Sequence, residues 1–220
     1  MEGSLVTCRK FGATGEGKMK VLGIHGSPRK GGNTELLLKE FLRGCTEGGA
    51  GVEEIFLREL QISPCLEIYA CKKSGECPIK DDMKPLYQKL EDADILAVAS
   101  PVFFFAVSAH LKAMIDRCQA FWARKYVLGR PVAPGREGRK GIFLAVGGAS
   151  LGKIFDGPLL TMKYFFDALD VTFERALLYK RVDEKGKIRD HPTALAEAYA
   201  LGKKIVQKNG KCGMSVVSRK

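Results

Sequence analysis

No apolar run in the 220 residues approaches the ~20 that a helix needs to cross a bilayer, so no membrane partner is expected. The first eighteen residues hold only Leu5-Val6 as a hydrophobic patch, too little for a secretory segment, and the expected compartment is the cytoplasm. The cysteines number seven, an odd count, and no two stand at C-x-x-C spacing. A disulfide scaffold and a zinc site both lack their pattern. Only three histidines occur, and none shows a partner in sequence for nucleophile activation; His25 reads as a packed or partly solvated side chain. No catalytic side chain is nominated.

Acid is missing from two stretches. Lys203, Lys204, Lys208, Lys211, Arg219 and Lys220 stand without a carboxylate, and Arg124, Lys125, Arg130, Arg136, Arg139 and Lys140 face only Glu137. Together they account for the whole net charge of +11. Stacking aromatics are not interleaved there, apart from Trp122 and Tyr126, so no nucleic-acid partner is expected. A solvated tail and loop, or a loop attracting anionic substrate, fit the pattern.

What is present alternates. Apolar runs at Val21–Ile24, 95–99 and 142–146, with 52–57 and 171–178, read as strands, the middle two continuous enough to be covered on both faces. Helices are expected between them: one carrying Leu38, Phe41, Leu42 and Cys45 at i, i+3, i+4 and i+7, then 81–90 capped by Asp81 or Asp82, 107–121, 159–169 and 193–207. This is an α/β pattern with a parallel sheet. Residues 1–18 read as an arm, 19–208 as one domain and 209–220 as a basic tail.

The first strand feeds the first helix through Gly26-Ser-Pro-Arg-Lys-Gly-Gly-Asn-Thr34. Such a loop gathers backbone N–H groups and the positive helix end around one point, which suits a phosphate. It starts like a Walker A motif, but Gly32 and Asn33 replace the lysine and the hydroxyl, and Gly23-Ile-His-Gly26 is no dinucleotide fingerprint. What remains (Ser27, Arg29, Gly32, Asn33, Thr34) fits one terminal phosphate. An ordinary turn, capped by Asn33 or Thr34, is the alternative.

That loop, with Ile79-Lys-Asp-Asp-Met83, Ser100-Pro-Val-Phe-Phe104 and Leu111-Lys-Ala-Met-Ile-Asp-Arg117 in the same order, resembles the NADPH-dependent FMN reductase and iron–sulfur flavoprotein group of flavodoxin-like proteins. The resemblance implies a flavodoxin-like three-layer sandwich, five parallel strands in order 2-1-3-4-5, with FMN at the switch point between the first and third. It implies an oxidoreductase passing electrons from NAD(P)H through FMN to a small-molecule acceptor such as a quinone, flavin, azo or nitro compound, or alternatively a relay between protein partners. It places Pro101, Val102, Phe103 and Phe104 along the flavin ring, Phe103 standing where the group more often has tyrosine. Gly147 and Gly148 supply a third loop at the same edge. It also implies a homodimer or homotetramer, for which residues 106–124 are the candidate contact. In the iron–sulfur members a C-x-x-C-x-x-C-x5-C run holds a [4Fe–4S] cluster. Here Cys65, Cys71 and Cys77 keep the first, third and fourth positions and Ile68 stands at the second, so a thiol-bearing loop without a cluster is expected.

Overall fold

A computed structural model describes residues 18–210; the arm, the tail and Cys8 and Cys212 lie, but for the edges of the first two, outside the described residues. Five parallel strands, β1 Lys20–His25, β2 Gly51–Phe56, β3 Ile95–Pro101, β4 Lys140–Val146 and β5 Thr172–Tyr179, form one sheet in the order β2-β1-β3-β4-β5. β3 and β4 are buried almost end to end, which is why they carry no polar alternation.

The sheet divides the core in two. Val21, Ile95, Ala97, Ile142 and Leu144 face α1 (Asn33–Glu47) and α7 (Ala194–Gly210), with the stripe Leu38, Phe41, Leu42 and Cys45 buried against them. Leu22, Ile24, Leu96, Val98 and Phe143 face α3 (Met83–Asp92), α4 (Ala109–Arg117) and α6 (Asp156–Ala168). Two short helices, α2 (Cys71–Ser74) and α5 (Gln119–Trp122), lie in the connections. Among the described residues no helix is long and apolar enough to cross a membrane.

α1 and α7 meet backbone to backbone. A Cβ built on Gly44 would stand 2.1 Å from the Tyr199 carbonyl oxygen, and one on Gly202 would stand 2.0 Å from that of Phe41. Both positions are closed to any other residue at this separation.

Several local expectations are corrected. The expected helix over 107–121 breaks at Cys118, whose N–H bonds the Ile115 carbonyl one residue early; α5 and a π-turn Ala123–Val127 follow. Asp81 does accept from the Met83 N–H, but its carboxylate also grips the buried Arg117 at 2.6 Å and takes the Ser63 N–H, while Asp82 takes that of Gln61. Both acids therefore anchor the loop after β2. The basic stretch 124–140 is exposed over much of its length, but several of its cations are paired: Arg124 with Glu91, Lys125 with Asp167 and Asp170, and Arg136 with Asp94. Arg139 is buried and donates to the carbonyls of Ala93, Leu169 and Leu90, the C-terminal ends of α3 and α6. Burial pushes its pKa down to about 10, which leaves it charged at neutral pH. These cations hold helices together.

Candidate functional site

The turn after β1 is fixed at both ends. The Gly26 N–H bonds Ala99 O on β3, and Ser108, capping α4, donates to Gly26 O, receives the Leu111 N–H on its Oγ and bonds Ser100 Oγ through its own N–H. Ser27 Oγ receives the Arg29 N–H, Gly32 N–H returns to Arg29 O, and Gly31 sits at φ +65°, where glycine alone is unstrained. Gly31 N–H donates to Glu35, a buried carboxylate also held by Lys39 and Arg58. Burial pushes the Glu35 carboxyl up, but these hydrogen bonds and cations outweigh it and hold it below the usual range.

α1 begins at Gly32 with no side-chain cap, contrary to the capping expected of Asn33 or Thr34. The Asn33 amide turns the other way, donating to Glu184 O at 2.8 Å and receiving the Ile188 N–H at 3.2 Å. The N–H groups of Asn33, Thr34 and Glu35 consequently have no acceptor among the described residues, and neither has the Thr34 hydroxyl. Three unclaimed donors at a positive helix end, with Ser27 and Arg29 beside them, are a donor set that fits a phosphate.

A cleft of about 130 Å³ opens over this point. Ser27, Arg29, Gly32, Asn33, Thr34, Pro101, Val102, Phe103 and Gly148 all line it. Phe104 and Gly147 do not. Phe104 stands fully in solvent at φ +48°, and Gly147 is turned inward, its N–H on Tyr179 O and the space for a side chain filled by Ile154. Val146, at the end of β4, joins the lining, and so do Val182 and Asp183, because the segment after β5 crosses back over the sheet edge to reach α1. The cleft is smaller than the ~300 Å³ of a full small-ligand pocket, so a mononucleotide held here would be only partly enclosed.

Behind the loop, His25 is buried and stacks on Phe56 at 4.2 Å; its Nε2 meets Glu54 at 2.8 Å and its Nδ1 has no partner among the described residues. Burial pushes its pKa below the usual value, against the hydrogen bond and charge of Glu54. Between that lowered value and the ordinary ~6.5, the unfolded chain holds a proton the folded chain refuses, so stability falls as pH falls through this window. Glu35 and Asp81, both held low, act only at more acidic pH. The urea midpoint should drop between about pH 7.5 and about pH 5, and His25→Gln should flatten that slope. An unchanged slope in the variant would place the acid sensitivity elsewhere.

The three central cysteines line two clefts. Cys65 and Cys71 open on a second cleft, of about 350 Å³, walled by Tyr69 and Trp122, while Cys77 lies in another beside Tyr87. Burial and the neighbouring thiols push the Cys71 thiol up. Cys45 and Cys118 lie in the core, Cys45 with its thiol pushed up to about 12 and Cys118 bonding Met114 O, so neither completes a ligand set. Among the described residues no group of three or more His, Cys, Asp or Glu side chains converges to hold a metal ion. The donors among the described residues do not fit a four-thiolate cubane.

Residues 19–152 match the family model described as NADPH-dependent FMN reductase. The chain belongs to that family. Among curated relatives, an iron–sulfur flavoprotein of Methanocaldococcus jannaschii is 46% identical over 99 residues, 45% of this chain and 51% of that protein. One of Archaeoglobus fulgidus is 41% identical over 132 residues, 60% of this chain and 64% of that protein. A Bacillus subtilis protein described as an NAD(P)H-dependent FMN-containing oxidoreductase is 29% identical over 188 residues, 83% and 97% of the two chains. The chain thus spans about half to two thirds of the length of the iron–sulfur flavoproteins it matches. Among solved structures, an NAD(P)H:quinone oxidoreductase from Methanothermobacter marburgensis superposes with TM-score 0.61 at 19% identity, covering 86% of this chain and all of that one. An archaeal flavodoxin does so at 0.52 and 17%, covering 88% and 100%. These two show the flavodoxin-like fold. The loop 26–34 and the wall Pro101–Phe103 both fall inside the matched stretch.

Proposed function

We propose that this protein binds FMN and uses it to pass electrons from NADH or NADPH to a small acceptor, a quinone, free flavin, azo or nitro compound. The observation that carries the reading is the uncapped N-terminus of α1, whose N–H groups face a cleft walled by Pro101, Val102 and Phe103. The flavin supplies the hydride chemistry when bound. The chain's own work is to hold the phosphate at Ser27, Gly32 and Thr34, with Arg29 as the nearby cation, and to lay apolar surface beside the ring. The purified protein should show the two visible bands of oxidised flavin, and NADPH oxidation with a quinone should exceed that of free FMN. Activity no higher than free FMN would sink the reductase reading.

A second reading, an electron relay between proteins, draws on the names of the iron–sulfur flavoprotein relatives. Iron and sulfide after anaerobic reconstitution separate the two; we expect well below about one iron per chain, and near four of each would favour the relay.

A homodimer or homotetramer is part of the proposal. The exposed large apolar side chains, including Phe104, Trp122, Tyr126, Leu160 and Tyr164, belong to α5, α6 and the loops on that side, and among the described residues none belongs to α1 or α7. The expected contact at 106–124 therefore extends onto α6. Trp122→Glu with Leu160→Glu should shift the protein to monomer on a sizing column; an unmoved peak would place the contact elsewhere.

A further inference from the structure

The segment between β5 and α7 is stapled across the cleft. Val182 N–H bonds Gly147 O, Arg29 reaches Asp183 O at 3.4 Å, and Asn33 ties both Glu184 O and the Ile188 N–H. This strap leaves the Asp183 carboxylate over Gly148, in the lining of the cleft. No ion pair or hydrogen bond among the described residues engages that carboxylate. A Cβ on Gly148 would stand 3.0 Å from its carboxyl carbon, so the missing side chain at 148 is what lets Asp183 sit there.

An unpaired acid beside a phosphate site is unfavourable unless it faces another part of the ligand. Its position decides the matter. The carboxylate stands against Gly148 at the end of β4, two strands from β1 in the sheet order, while the backbone of the strap bonds Arg29 on the first loop. A mononucleotide with its phosphate at the α1 end and its ring against Pro101–Phe103 carries a chain of hydroxyl groups between them. Those hydroxyls need acceptors. The cleft otherwise offers them mainly N–H donors and apolar walls.

We propose that Asp183 accepts hydrogen bonds from the ribityl hydroxyls and so makes the strap a fourth wall of the cofactor site. The inference rests on the FMN reading above. It assigns Asp183 a binding role, and it explains why Asn33 is turned away from the phosphate loop: its amide is spent on holding the strap.

The test is FMN titration of the flavin-free full chain, followed by quenching of flavin fluorescence, with the melting temperature of each apo protein measured alongside. Asp183→Ala should weaken FMN binding about tenfold, the loss of one hydrogen bond to a charged group. Asp183→Asn keeps an acceptor oxygen and should stay within about threefold of the wild type, with both apo melting temperatures unchanged. Gly148→Ala, which displaces the carboxylate, should weaken binding as Asp183→Ala does. Equal or tighter binding by Asp183→Ala overturns the proposal, and so does an Asn variant as weak as the Ala variant. Wild-type protein that takes up no FMN overturns the FMN reading itself, and the role of Asp183 with it.

Discussion

Thr34→Asp should abolish FMN uptake at micromolar concentration while leaving the fold intact. The substitution puts a carboxylate where the cleft offers a hydroxyl with no partner among the described residues, beside the unclaimed N–H groups of the first turn. Two unit charges 4 Å apart interact by about 4 kcal/mol at an effective dielectric near 20, about a thousandfold in affinity. Arg29 and the helix end offset part of that, so the expected loss is at least about a hundredfold. The same aspartate is favourable to the helix dipole, but position 34 is buried beside the Glu35 carboxylate, so the apo melting temperature should fall modestly. Loss of binding far beyond that loss of stability is the signature of an anion site. Near-wild-type FMN affinity in the variant would remove the phosphate from the α1 end.

The largest effect on stability is expected at the α1–α7 crossing. Gly202→Ala places a methyl group 2.0 Å from the Phe41 carbonyl oxygen, well over 1 Å inside the ~3.3 Å at which carbon and oxygen normally touch. Alanine gains about 1 kcal/mol of helix propensity over glycine, and if space were free the change would stabilise. Space is not free, and the neighbour is backbone, which cannot rotate away. The two helices must separate, and the core stripe of Leu38, Phe41 and Leu42 loosens with them. A net loss of about 2–4 kcal/mol follows from overpacking of this kind, a fall of roughly 5–15 °C in melting temperature. Gly152→Ala, with nothing within 4 Å of the new methyl, should change stability by less than about 0.5 kcal/mol. A neutral Gly202→Ala would mean that the helices do not pack this closely in solution.

The parts of the fold that burial dictates were legible in the chain. β3 and β4 read as continuous apolar runs because both faces are covered, and α1 read as a stripe because one face is. Strand order followed from motifs in register with a known family. What escaped depends on partners far along the chain. The break at Cys118 leaves no mark on the periodicity, since α4 and α5 bury the same side. The basic stretch looked solvated because its acids lie on α3 and α6 or just beyond their ends, some thirty to forty residues away in sequence. Asp183 sits in a run of charged residues with no periodicity, and only the crossing of the strap to Asn33 brings it to the cleft. The two glycines of the helix crossing were visible as residues but not as a contact.

Trp122, the single tryptophan of the chain, stands at the mouth of the cleft that holds Cys65 and Cys71, its ring 6.0 Å from that of Tyr126. Its emission is therefore a natural probe of one side of the molecule. Oxidation of those thiols, or a second subunit covering α5, will alter the colour or yield of that light, whereas events confined to the first turn of α1 will reach it only through a bound chromophore able to absorb its energy.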